Sequence, residues 1–304
     1  MERIPRAVVA YTENDPRAVR GGVETHAKNL GLVFEEVLFM TPATRDEALV
    51  VARRLPVICD NQRVLDWPER VPVIGIQHGM ASRKLLSTRS FGDAKMALAQ
   101  ARAARRRNTL WIAAANWVRD AFTRHYRVRA RHVVYHGIDL ERFDGELANA
   151  GSRVLLHDAR SPHKGSHLYP VLARALPDWR FELLGAGGEP IPEHMRRARA
   201  FLHLSRYEGN SLVVCEAMAM NLPCLFTEVG LMLDGTERFD VTVVPRRAVF
   251  GPERRLIRTV SEFVAGLDRR DYRPRAWVEE HASFDANRAA WRRVLDDFDA
   301  TARW

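Results

Sequence analysis

The chain is 304 residues long, enough for two domains with a core each, and at 46% hydrophobic and 28% charged residues it has the make-up of a globular protein in water. No apolar run approaches the roughly 18 residues of a membrane span. No signal-peptide h-region opens the chain, and Cys59, Cys215 and Cys224 form neither a C-x-x-C pair nor an even disulfide set, so a reducing cytoplasm is the expected setting. The net charge of +9 rests on 47 basic residues, of which only Lys28, Lys84, Lys95 and Lys164 are lysine. It implies attraction to an anionic partner: a nucleotide, a lipid-headgroup surface or nucleic acid.

Short β-rich apolar runs alternate with longer amphipathic stretches, the pattern of α/β units around parallel sheets. In the first half strands are expected at 7–11, 36–40, 56–59, 72–76, 110–114 and 132–135, with helices at 22–33, 83–107 and 116–127. The polar, weakly periodic stretch 139–151 reads as the linker. Further strands follow at 153–157, 181–185, 200–204 and 222–226, and a last helix over 286–304 carries Trp291, Leu295 and Phe298 at helical spacing. The expected division is a first Rossmann-like domain over 1–145, a second over 146–285, and the helix 286–304 packing back on the first. Two doubly wound halves of this kind bind ligands outside the carboxyl ends of their strands, in the cleft between them.

Four segments carry candidate chemistry. In E-G-N-S-L-V-V-C-E (208–216), Gly209, Asn210 and Ser211 mark a turn and Leu212 opens an apolar helix that Asn221 and Pro223 stop. The helix start would favour a phosphate, and Glu216, alone among apolar neighbours, needs a partner such as a vicinal diol. A helix whose polar edge happens to carry one glutamate is an equal alternative. In H-D-A-R-S-P-H-K-G (157–165), Arg160 and Lys164 beside a strand-to-helix turn would make an anion site, although an isolated K-G is more often a solvated basic loop. His163 and His167 stand four apart without an accompanying carboxylate, which argues against a metal site. In R-G-G-V-E-T-H (20–26), Gly21 and Gly22 permit close backbone approach to a ligand or form a simple turn. In I-Q-H-G (76–79), His78 ends a strong apolar run and faces the cleft, or is a satisfied structural histidine.

Together these segments resemble glycosyltransferase family 4, retaining nucleotide-sugar enzymes of the GT-B fold, over nearly the whole chain. S-R-Y-E-G-N-S-L-V-V-C-E-A-M-A is similar to the family's E-x7-E signature, with Glu208 and Glu216 at the required spacing. H-K-G, G-G-V-E-T-H and V-V-Y-H-G-I-D-L-E-R-F (133–143) resemble other family passages, the last with His136 in place of asparagine. The resemblance implies that Glu216 holds the donor ribose and that Glu208 lies by the donor sugar. Arg160 and Lys164 would bind the diphosphate, with Gly21 and Gly22 approaching it and Gly209, Asn210, Ser211 and Leu212 forming the loop and helix start beside it. His78 would face the sugar and acceptor, so that His78, Glu208, Lys164 and Arg160 are the catalytic set. The donor implied is a nucleotide-diphosphate sugar, a UDP-sugar first, with no cofactor and no metal, in agreement with the lack of a D-x-D motif. This chain departs from the family at Ala159, where an arginine is usual, and in the dozen or so residues between 188 and 200, where a further strand and helix are usual.

The basic amphipathic stretch 83–107 follows His78. Arg83, Lys84, Arg105, Arg106 and Arg107 are the candidate anionic-surface residues, for a membrane carrying a lipid-linked or glycan acceptor, for DNA carrying a hydroxymethylated base, or for solvent alone. No obligate protein partner is evident. The rival reading is a non-catalytic, basic nucleic-acid-binding protein on a degenerate GT-B shell.

Overall fold

The computed structural model describes residues 2–19, 21–145, 151–235 and 238–302. The chain divides into two compact units, one of residues 1–137 with 284–304 and one of residues 138–283. Residues 146–150 of the expected linker, and Arg20 ahead of the glycine pair, lie outside the described residues.

The first unit runs β1 (Ile4–Tyr11), α1 (Gly22–Leu30), β2 (Phe34–Met40), α2 (Arg45–Val51), β3 (Val57–Asp60), β4 (Val73–Gln77), α3 (Ala81–Thr88), α4 (Phe91–Ala104), β5 (Thr109–Ala113), α5 (Asn116–Tyr126) and β6 (His132–Val133). Its six strands are all parallel, in the order β2-β1-β3-β4-β5-β6. The second unit runs β7 (Val154–His157), α6 (Tyr169–Ala175), β8 (Arg180–Leu183), α7 (Ile191–Arg196), β9 (Ala200–His203), α8 (Leu212–Ala219), β10 (Cys224–Thr227), β11 (Thr242–Val244), α9 (Arg246–Val249), α10 (Glu253–Gly266) and α11 (Arg275–His281). Its sheet is also parallel, in the order β11-β10-β9-β7-β8. α12 (Phe284–Thr301) returns to the first unit.

The strands were legible because both faces of these sheets are covered. β3, β4, β7, β9 and β10 are buried along their whole length and therefore read as unbroken apolar runs rather than as alternation. In the first unit Ile4, Val8, Ile58, Ile74 and Ile112 pack with Trp291, Val294, Leu295 and Phe298 of α12. Trp291 meets Phe34 edge-on at 5.5 Å, and burying side chains of this size is worth about 1.5–3 kcal/mol each. Leu155, Leu172, Leu202, Leu225, Val260 and Phe263 form the matching core of the second unit. In both sheets the order reverses beside the first strand, between β1 and β3 and between β7 and β9. The carboxyl ends at such a reversal are where open α/β sheets bind ligands.

Two expectations are corrected. The stretch 83–107 is two helices, because Arg89 adopts a left-handed conformation (φ 52°) that caps α3, and the Ser90 hydroxyl then accepts from the Asp93 N–H to start α4. The short β11 was not expected. Between β8 and β9 the chain has a short 3-10 turn (Ala186–Gly188) and α7 but no strand, so the sheet ends at β8 where the doubly wound order 3-2-1-4-5-6 places one more strand. No helix among the described residues is long and apolar enough to cross a membrane.

Candidate functional site

At the carboxyl ends of β7 and β9 four ionisable side chains close a ring. Asp158, the residue after β7, accepts from the Lys164 ammonium at 2.8 Å through Oδ2 and pairs with His203 Nδ1 at 2.7 Å through Oδ1. Glu208 Oε1 lies 3.6 Å from Lys164 Nζ and 3.3 Å from His203 Nε2, ion-pair distances without hydrogen-bond alignment. Burial disfavours charge at all four. It would lower His203, but the Asp158 and Glu208 carboxylates outweigh it and raise the imidazole to about 9. Burial would likewise raise Asp158 and Glu208, yet His203 and Lys164 hold both below the usual carboxylate range. Lys164 is raised in turn, since Glu208 and Asp158 overcome its desolvation. At neutral pH the ring holds two positive and two negative charges.

Glycines seat this ring. Gly165 has φ +80°, and a Cβ there would stand 2.3 Å from the Leu204 carbonyl, so the loop after Lys164 can lie against the end of β9 only without a side chain. Gly230, at φ +59°, similarly abuts Glu208 and Gly209. The loop Gly209–Ser211 leads into α8, whose start is not capped by the Ser211 side chain. Asn210 is buried there beside Cys215.

Glu216 lies in the second turn of α8. Its carboxylate meets no hydrogen-bond or ion-pair partner among the described residues. Burial pushes it up to about 7, and the charge of Arg142 offsets this only in part. Arg160 stands apart from Lys164: its guanidinium donates to the Leu184 carbonyl at 2.6 Å, past the end of β8.

In the first unit, Gly21 and Gly22 open α1 with extended backbone at Gly21 and open space at Gly22, so neither needs to be glycine for its own conformation. His78 Nε2 pairs with Asp60 Oδ1 at 2.7 Å, and its backbone N–H donates to Asn61. His26 and His136 join it, with ring centroids 4.4 Å apart and each about 5 Å from His78. Both nitrogens of His26 and the Nδ1 atoms of His78 and His136 are buried without a hydrogen-bond partner. Burial holds His26 and His136 neutral, far below the ordinary imidazole range, and the neighbouring histidines add to the effect. Among the described residues no group of three or more His, Cys, Asp or Glu is arranged to hold a metal ion.

Of the candidate surface cations, Arg83 lies over Trp117, Lys84 pairs with Asp93 at 3.0 Å, and Arg105 and Arg107 are exposed. Arg106 is corrected. It is buried, and its guanidinium donates to the carbonyls of Trp67, Pro68, Val71, Arg107 and Asn108 and to the Thr109 hydroxyl, so it anchors the β4 and β5 entry loops instead of facing a ligand. Asp158, His203, Asp60 and His26 were not singled out from the sequence. The signal was available for His203 and Asp60: each ends an apolar strand, the feature that drew attention to His78.

A profile for the family described as "Glycosyl transferases group 1" matches residues 162–249, a span that contains Lys164, His203, Glu208 and Glu216. No curated protein sequence matches the chain. Among solved structures the chain is similar to Anabaena Alr3699/HepE in complex with UDP and glucose, at TM-score 0.70 and 14% identity over 96% of this chain and 100% of that one. It is similar to the sucrose-phosphate synthase (tll1590) of Thermosynechococcus elongatus, at TM-score 0.77 and 14% identity over 97% and 100%. WaaG, a glycosyltransferase involved in lipopolysaccharide biosynthesis, aligns at TM-score 0.62 and 14% identity over 96% and 99%. With two parallel-sheet, Rossmann-like units and these structural neighbours, the chain has the GT-B fold.

Proposed function

We propose that the chain is a retaining glycosyltransferase that moves a sugar from a nucleotide-diphosphate sugar, a UDP-sugar first, to an acceptor hydroxyl without a metal ion. One observation carries the reading: Glu216, eight residues after Glu208 and inside the matched span, is a half-buried carboxylate for which the described residues supply no partner. A ribose diol supplies two hydroxyl donors to such a group. The HepE structures with UDP and with UDP-glucose support the same donor class.

The charge ring refines the roles. Breaking the anomeric C–O bond builds negative charge on the leaving diphosphate, and donors fixed in advance stabilise it, each worth about 10²–10³ in rate. Lys164 already stands between two carboxylates, so it offers a positioned N–H more than net charge. Among the described residues Arg160 has no carboxylate partner, so it is the cation of the second unit's set whose charge is left for the diphosphate, and the α8 amino terminus adds its dipole. Glu208, ionised and held by His203, accepts from a sugar hydroxyl. His78, oriented by Asp60, stands ready on the first unit, and the leaving phosphate itself takes the acceptor proton. The acceptor hydroxyl belongs to a molecule at an anionic surface, either membrane or DNA.

A panel of UDP-, GDP-, ADP- and dTDP-sugars, scored for thermal stabilisation and slow hydrolysis, tests the reading. Stabilisation by one base class, lost in Glu216→Gln, is expected. Silence across the panel refutes it, and an inverted anomer in the product refutes retention alone.

A further inference from the structure

The chain's positive charge is concentrated in one place. Between Arg105 and Arg131 the sequence has eight arginines against Asp120 as its only acid, a formal +7 of the whole chain's +9. Apart from the buried Arg106, these residues reach the surface of the first unit, where five of them, Arg107, Arg119, Arg124, Arg129 and Arg131, line two adjoining depressions. The larger, about 570 Å³, lies at the amino ends of β4, β5 and β6 and is edged by Arg70, Arg107 and Arg131. Its floor is Leu110 and Phe298, both buried. The second, about 400 Å³, shares Arg131 and is lined by Arg119, Arg124 and Arg129. Asp120 pairs with Arg119 at 2.9 Å, and Asp297 is divided between Arg131 and His132 at 3.0 and 2.8 Å. Among the described residues no carboxylate pairs with Arg70, Arg107, Arg124 or Arg129.

We propose that this arginine stripe binds the phosphodiester backbone of nucleic acid. Guanidinium groups match phosphate oxygens bidentately, and a row of them along joined concavities fits a chain of phosphates. The shape speaks against a membrane. Insertion into lipid needs protruding apolar side chains, and among the described residues none of the exposed large hydrophobics lines either depression. Four of them, Leu86, Phe91, Met96 and Leu98, lie on α3 and α4 instead. Among the described residues neither depression is lined by an exposed aromatic ring on which to stack a base, so the stripe reads charge and not sequence. It sits at the amino ends of the strands, the end opposite to Asp60 and His78, so it provides residence on the polymer and leaves the carboxyl ends free. This inference stands apart from the donor reading.

The test is fluorescence anisotropy with a labelled 25-base-pair DNA duplex and the same duplex in RNA, between 50 and 200 mM KCl, alongside sedimentation with vesicles of 30% anionic lipid. Neutralising six phosphates gives a log–log salt slope of about −5, at about 0.9 per contact. Arg70→Gln/Arg107→Gln/Arg124→Gln/Arg129→Gln reduces that slope by about 3.6, with at least a tenfold loss of affinity at 100 mM salt. The single variants Arg107→Gln and Arg129→Gln, each on an exposed side chain, reduce it by about 0.9 apiece and guard against misfolding of the quadruple variant. The proposal is overturned by wild type that fails to bind at 50 mM salt, by slopes that the substitutions leave unchanged, or by vesicle binding that depends on these arginines without nucleic-acid binding. An equal loss in Arg83→Gln/Lys84→Gln also overturns it, by moving the contact to α3.

Discussion

Replacing Glu216 with glutamine should stabilise the free protein while removing its affinity for a donor nucleotide. Burial in α8 lifts the carboxyl from an ordinary 4.5 to about 7. The folded chain therefore holds this proton more tightly than the unfolded chain does. The group's contribution is fully present below pH 4.5 and is lost as pH rises through 7. The displacement corresponds to about 3 kcal/mol at most, and because Glu216 keeps some contact with solvent roughly half of that, about 1–2 kcal/mol, is expected. At about 3–4 °C per kcal/mol for a unit of this size, Glu216→Gln should raise the melting temperature by about 3–8 °C at pH 8. The gain should shrink to nothing at pH 4.5, where both side chains are neutral. Differential scanning fluorimetry of variant and wild type across pH 4.5–8.5, with and without UDP, separates the effects. The ligand should stabilise wild type and leave the variant unmoved. A variant that melts at or below wild type at pH 8 would show that Glu216 already has a satisfactory partner within the chain, and the argument for a ribose site would fail.

Three further outcomes follow from the buried ionisable groups. His26 and His136 are held neutral in the folded state, so stability is present above pH 6.5 and falls as pH drops, by up to about 1.4 kcal/mol per pH unit for each. Urea melts at pH 5, 6 and 7 should show that slope, and His136→Asn should lessen it. His203 acts in the opposite sense: raised to about 9, it stabilises fully below pH 6.5 and the gain is lost as pH rises through 9. His203→Gln leaves Asp158 and Glu208 short of a cation and should cost about 3–5 kcal/mol at pH 7, read by the same melts; a loss under 1 kcal/mol would contradict the ring. Arg106→Met strands the six acceptors around its guanidinium and should cost at least about 3 kcal/mol, whereas Arg105→Met should stay within about 0.5 kcal/mol.

How much could be read from the residues alone depended on whether the cause was local. Strands such as Val73–Gln77 and Ala200–His203 stand out because complete burial demands apolar side chains in succession. The spacing of Glu208 and Glu216 was visible because one loop and one helix carry it, and Lys164 because the next residue is a glycine at the turn after β7. Asp158 and His203 were missed because their pairing spans 45 residues and exists only once β7 and β9 lie side by side. Arg106 was misread because an arginine between two arginines looks solvated, and only the folded loops around Trp67 and Val71 reveal the carbonyls that surround it. The break falls on an arginine, Arg89, while the nearby Gly92 lies inside the first turn of α4, so 83–107 read as continuous.

The return of α12 to the first unit has a consequence for biosynthesis. Trp291, Val294 and Phe298 complete a core that begins at Ile4, yet all of residues 138–283 must be translated between them. At about 5–20 residues per second, the ribosome spends roughly seven to thirty seconds making that stretch. For that interval Phe34 and the apolar face of the first sheet lack the cover that α12 supplies. A nascent chain stalled before Phe284 therefore presents an open apolar face to chaperones.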